Sequence, residues 1–139
     1  MWTKVYDMTF CVDFDGTCVA HAFPEVGEDI GAVPVLKELV EKGHRLILHT
    51  MRSPGLHFNE PDTEEAARKW FEDNGIQLWA VNRNPGQWRW TKSKKVFADY
   101  YIDDTALGAP LIMDPNISKR PFIDWVRMRE LLVQCGALD

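Results

Sequence analysis

At 139 residues with 45% apolar side chains, the chain can bury the core of one ordinary domain, so a single unit over 1–139 is expected. A formal charge of −5 and a pI near 5.3 exclude the electrostatic footprint of an indiscriminate duplex nucleic-acid binder, while remaining compatible with a local basic patch. No apolar run approaches the ~20 residues of a membrane span, Met1-Trp2-Thr3-Lys4 carries no apolar signal core, and Cys11, Cys18 and Cys135 lack metal-ligand spacing; a reduced, cytoplasmic setting away from the membrane is expected.

Thr9 to Asp13 reads as a buried strand, and where its apolar run Phe10-Cys11-Val12 ends the chain places Asp13-Phe14-Asp15-Gly16-Thr17. In an extended strand residues 13 and 15 share a face, which crowds both carboxylates at the strand's carboxyl end. Two like unit charges ~4 Å apart repel by ~4 kcal/mol at an effective dielectric of ~20, so such a pair needs a cation or a proton. Gly16 lets the backbone turn sharply. By itself the Asp-Gly dipeptide is also an ordinary turn signal with solvated acids beside it.

Cys18 to Ile30, rich in Gly, Pro and acids, is an irregular excursion. From Ala32 to Lys42, Val33, Leu36, Leu39 and Val40 recur at helical spacing, with Pro34 in the first turn and Gly43 as the stop. Arg45 to His49 is a second strand that ends in the polar turn Thr50-Met51-Arg52-Ser53-Pro54-Gly55. Asp62 with Glu65 makes a capping box for a helix with Ala66, Ala67, Trp70 and Phe71 on one side and Asn74-Gly75 at its end. Ile76 to Val81 follows as a third strand, then a Pro/Gly/Trp loop over 82–95 with a basic end. Tyr100 to Ile102 is a short strand closing on Asp103-Asp104, and Pro121 to Gln134 is a last amphipathic helix carrying Ile123, Val126, Leu131 and Leu132.

Strands alternating with helices predict an α/β fold: a three-layer, Rossmann-like arrangement with a mostly parallel sheet, right-handed crossovers and both faces covered. Ligands of such sheets bind beyond the carboxyl ends of the strands. Asp13, Asp15, Thr50, a lysine near 95, Asp103 and Asp104 would all collect at that one edge although they are remote in sequence. This convergence is the main argument for a site.

Asp13-x-Asp15-Gly16-Thr17 after a strand, Thr50 at a strand end, a lysine, and then Ile102-Asp103-Asp104 resemble, in that order, the four motifs of the haloacid dehalogenase-like hydrolase superfamily. The resemblance spans most of the chain and implies a magnesium-dependent phosphatase working through an aspartyl-phosphate. It implies Asp13 as the nucleophile and Asp15 as the general acid and base. It further implies magnesium held by the Asp13 carboxylate, the Asp15 backbone carbonyl and Asp103, with Asp104 assisting from behind. Thr50, Met51 and a lysine would hold the phosphate; Lys92, Lys94 and Lys95 all precede the Asp103 strand closely, and Lys95 is favoured. Asp15 argues for phosphoryl transfer, since the dehalogenase branch lacks an acid/base aspartate there. Two alternatives stand beside hydrolysis: a phosphotransferase or mutase of the same superfamily, and a catalytically silent binding domain on the same sheet.

The chain has little room for a cap domain: Cys18 to Ile30 makes at most a short flap. An open site in this superfamily goes with bulky substrates such as nucleic-acid ends or phosphoproteins, or with a cap lent by a second subunit of a homo-oligomer. Trp88 and Trp90, interleaved with Arg83, Arg89, Lys92 and Lys94, are expected near the mouth, where they either stack on a base or pack locally. His21 is either a substrate contact or a bystander, His49 is structural, and Arg52 either braces the phosphate turn or is solvated.

Overall fold

The structure, a computed structural model, describes residues 7–139; the reading of Met1 to Lys4 lies outside them. Four parallel strands form the central sheet: β1 (Thr9–Val12), β2 (Arg45–Leu48), β3 (Ala80–Val81) and β4 (Tyr100–Ile102), in the order β3-β2-β1-β4. Helix α1 (Ala32–Glu41) connects β1 to β2, and α2 (Thr63–Asp73) connects β2 to β3. After β4 comes a two-stranded antiparallel ribbon, β5 (Leu111–Ile112) with β6 (Phe122–Ile123), and then α3 (Trp125–Gln134). The ribbon has no counterpart in the sequence reading. Among the described residues no helix is long and apolar enough to cross a membrane.

Register explains the two faces of the sheet. Phe10 and Val12 of β1, Leu46 and Leu48 of β2 and Ile102 of β4 point to one side, where they pack with Leu36 and Leu39 of α1, Ala67 and Phe71 of α2, and Trp125, Met128 and Leu132 of α3. Cys11 and Ile47 point to the other side, where they meet Val96, with Trp79 and Ala98 alongside. Right-handed crossovers account for this split. The steps β1 to β2 to β3 run in one direction across the sheet and carry α1 and α2 on one face. The return from β3 to the far side of β1 runs over the opposite face, and there the chain has only irregular backbone and the 3-10 turn Gln87–Arg89. The expected three-layer arrangement is therefore corrected: the third layer is a loop, because 82–99 holds Pro85, Gly86 and polar residues with no apolar helical period.

Two element boundaries also differ from expectation. Only Ala80–Val81 pairs within the third strand, Ile76 to Trp79 serving as its approach. The last helix starts at Trp125 rather than Pro121, because the Asp124 side chain accepts hydrogen bonds from the Val126 and Arg127 amides and so caps it there. Its buried side is consequently Trp125, Met128 and Leu132; Val126, expected in the core, is 76% exposed, and Ile123 belongs to β6. The cap predicted for α2 is present, with Asp62 accepting from the Glu65 amide at 2.8 Å.

Candidate functional site

β1 lies between β2 and β4; its own connection to β2 passes over one face and the return from β3 to β4 over the other, so the carboxyl end of β1 is the switch point where open α/β sheets bind ligands. A hollow of about 470 Å³ opens there, lined by Asp13, Asp15, Thr50, Met51, Asp103 and Asp104 together with His21, Phe23, Arg52, Thr105 and Arg120. Six residues named from sequence thus converge from three strand ends.

The backbone after β1 is held tightly. The Asp13 amide donates to the Ile102 carbonyl at 3.0 Å, and the Thr17 and Cys18 amides donate to the Phe14 carbonyl at 3.1 and 2.8 Å. Gly16 has φ +81°, and a Cβ there would stand 2.2 Å from His21 Nε2 and 2.4 Å from Asp104 Oδ2. Glycine is required on both counts, left-handed backbone and close approach. The Trp125 indole N–H donates to the Thr17 carbonyl at 2.7 Å, which anchors the turn to α3.

Asp13, Asp103 and Asp104 each place a carboxylate oxygen within 4.8 Å of the other two. Burial pushes the Asp13 carboxyl up to about 8, reinforced by its hydrogen bond with Asp104 and the negative charge of Asp103. Buried Thr17 mediates between the acids: its hydroxyl donates to Asp13 Oδ2 at 2.9 Å and accepts from the Asp104 amide at 3.0 Å. Asp103 Oδ1 accepts from the amide and hydroxyl of Thr105 at 2.8 and 2.7 Å. Such a cluster of hard carboxylate oxygens fits magnesium in donor type. The expected crowding of Asp13 with Asp15 is corrected: Asp13 meets Asp103 and Asp104, and the Asp15 side chain turns elsewhere.

Asp15 is gripped by Arg52, whose Nε and Nη2 donate to the two carboxylate oxygens at 2.8 Å each. Arg52 is 3% exposed, and its guanidinium also donates to the carbonyls of Pro24, Glu25 and Thr63. One side chain therefore ties the flap and the start of α2 to Asp15. His21, the sequence's undecided histidine, has its ring Nε2 3.2 Å from Asp104 Oδ2 and 3.1 Å from the Pro121 carbonyl. Both neighbours are acceptors, which assigns the proton to Nε2. Its side chain is nearly buried, and so is that of Asp104.

Thr50 stands at the end of β2 with its amide donated to Asn82 Oδ1 at 2.8 Å and its hydroxyl accepting from the Arg52 amide at 3.1 Å. Asn82 adopts φ +54°, a left-handed conformation that asparagine tolerates, and this aims its side chain at the turn. Met51 is fully exposed at the rim. The lysines are placed apart from the acids: Lys95 Nζ lies 6.0 Å from the Tyr101 ring centroid, and Lys92 and Lys94 line a separate hollow beside Trp88. The cations that line the acidic hollow are Arg52 and Arg120. Sequence reasoning missed Arg120 and gave Thr17 no role beyond its place in the first motif, while His21 was left between a substrate contact and a bystander. No cysteine lines the hollow: burial pushes the Cys11 thiol up to about 11 and holds that of Cys18, which donates to the Asp13 carbonyl, well above the usual thiol range.

The fold and the site together define an α/β protein with a Rossmann-like parallel sheet and an acidic centre at its switch point. A solved structure of a conserved protein from Bacteroides thetaiotaomicron matches with a TM-score of 0.71 at 32% identity, over 93% of this chain and 92% of that one. The chain belongs to the same family as that conserved protein. No protein-family model matches it, and neither does any curated protein.

Proposed function

We propose that the protein is a magnesium-dependent phosphomonoesterase of the haloacid dehalogenase-like type, with Asp13 as nucleophile. The observation that carries the reading is the meeting of Asp13, Asp103 and Asp104 within 4.8 Å at the switch point, beside Thr50. A phosphate dianion ~4 Å from an ionised Asp13 would be repelled by ~8 kcal/mol at an effective dielectric of ~20. When bound among Asp13, Asp103 and Asp104, magnesium supplies the charge that offsets this repulsion.

The chain's own residues account for the remainder of the reaction. Thr17 fixes the Asp13 carboxylate through its hydroxyl, so that an oxygen of Asp13 forms the new bond to phosphorus as the bond to the leaving oxygen breaks. Asp15 gives its proton to the leaving oxygen and later takes one from the water that attacks phosphorus, releasing phosphate and restoring Asp13. That work requires Asp15 to free one oxygen from Arg52 and take up a proton from solvent before the first step, and Arg52 pairs with the Asp15 carboxylate between the two proton transfers. Thr50 and the Met51 turn hold phosphate oxygens, and Arg120, rather than Lys95, lines the hollow as the accessible cation. The three free cysteines suit a reducing, intracellular setting.

Hydrolysis of para-nitrophenyl phosphate tests the reading. The wild type turns over with magnesium and stops with a chelator, and Asp13→Asn is inactive while remaining folded by circular dichroism. Full activity in Asp13→Asn would overturn it. Release of inorganic phosphate, without transfer to added alcohols or sugars, separates hydrolysis from phosphotransfer.

A further inference from the structure

The loop that covers the second face of the sheet carries a surface that the acidic centre does not use. Trp88 is 72% exposed and Trp90 65% exposed, an unusual state for the largest apolar side chains. Arg83, Arg89, Lys92, Lys94 and Lys95 accompany them, with no acid between positions 83 and 95, although the whole chain carries −5. Arg83, Trp88, Lys92 and Lys94 line a hollow of about 260 Å³. Asn82 lines it too, and the same Asn82 accepts the amide of Thr50 in the acidic hollow, so one hydrogen bond separates the two sites.

This surface is built rather than loose. Buried Gln87 donates to the carbonyls of Ser93 and Lys95 at 3.1 and 2.7 Å and accepts from the Phe97 amide at 2.8 Å. A single side chain thus holds the loop in shape while the neighbouring Trp88 faces solvent. Arg89 lies against the Trp88 ring at 5.9 Å, and the Trp90 ring meets Phe97 edge-on.

We propose that this face binds the terminal nucleotides of a single-stranded nucleic acid whose end phosphate enters the acidic hollow, an inference that rests on the phosphomonoesterase reading of that hollow. Exposed aromatic faces among cations are the means by which proteins hold unpaired bases and their backbone. A mononucleotide would commit its one phosphate to the acidic centre and leave Arg83, Lys92 and Lys94 without an anion; a strand supplies further phosphates to them. A symmetric contact between two copies at this patch would oppose like charges, which disfavours a dimer interface.

Anisotropy of a fluorescein-labelled thymidine decamer ending in a hydroxyl, measured in chelator, reads this face without turnover. The wild type binds it with an affinity that falls as salt rises, and Trp88→Ala and the Lys92→Ala/Lys94→Ala pair each weaken binding about tenfold. Both variants turn over para-nitrophenyl phosphate as the wild type does. On a decamer ending in a phosphate, KM rises about tenfold and kcat is kept. Equal decamer affinity in wild type and variants would overturn the proposal, as would a wild-type dimer that Trp88→Ala dissociates in sedimentation. Decamer binding without para-nitrophenyl phosphate turnover would sink the hydrolytic reading and leave the nucleic-acid face standing; turnover without decamer binding would do the reverse.

Discussion

Asp13 accepts a hydrogen bond from Thr17 while facing Asp103 and Asp104, and burial, reinforced by those two neighbours, raises its carboxyl in spite of that bond. The consequence for stability has a definite sign. The folded state holds the Asp13 proton up to about 8, whereas the unfolded chain releases it near 3.8, so the native state binds more protons across that window. In chelator, the contribution of this proton to stability is therefore greatest below the lower value, declines as pH rises through the window and is fully lost above the upper one. Thermal unfolding in EDTA should show Tm falling between about pH 4 and 8, and the fall should be smaller in Asp13→Asn. Magnesium at pH 8 should restore several degrees, since 1 kcal/mol moves Tm by about 2–8 °C in domains of this general size. A Tm that is flat with pH in EDTA, or indifferent to magnesium, would contradict the assignment of these acids to one centre. Gly16 belongs to the same scale: no other residue fits both its φ of +81° and the contact with His21 and Asp104.

Strand ends supply the acids, but Arg52 is what joins the elements around them. It reaches from the turn after β2 to Asp15 after β1, to Pro24 and Glu25 in the flap, and to the Thr63 carbonyl at the start of α2. Thr63 reciprocates, its hydroxyl accepting from the Ser53 amide and donating to the Ser53 carbonyl. Removing one partner of a buried ion pair leaves the other charge uncompensated, so Arg52→Ala should cost about 3–5 kcal/mol in urea unfolding. Arg52→Lys should recover only part of that loss, because an ammonium cannot match the fork that engages both Asp15 oxygens. If Arg52→Ala unfolds at the wild-type urea midpoint, the guanidinium is not the tie described here. A cap-only change, Asp62→Ala, should cost about 1 kcal/mol, the ordinary value for a lost N-cap.

Across the whole molecule the two faces of the sheet are unequal. Three helices build the large core on one side, while the other side buries Cys11, Ile47 and Val96 beneath a loop held by the Gln87 amide. Opening of the loop therefore need not unfold the sheet. In hydrogen exchange, Gln87→Ala should speed exchange over 88–97 while Phe10–Val12 and Leu46–Leu48 keep their protection. Uniform loss of protection would show that the loop is integral to the main core.

Local signals were legible without coordinates because their physics is local. An apolar run ending in Asp13-Phe14-Asp15-Gly16-Thr17, the Asp62 cap and the helical period of α1 each depend on residues within a turn of one another, and alternation of strand and helix then implies one edge shared by Asp13, Thr50 and Asp103. Pairings between distant segments, by contrast, follow from packing alone. Arg52 lies 37 residues from the acid it grips, and His21 of the flap meets Asp104, which follows β4. The loop in place of a helix over the second face, and the core side of α3, follow likewise from crossover direction and from the cap at Asp124. A side chain's type sets which partners it needs, but only the packed chain determines which of the eligible groups comes within hydrogen-bond reach.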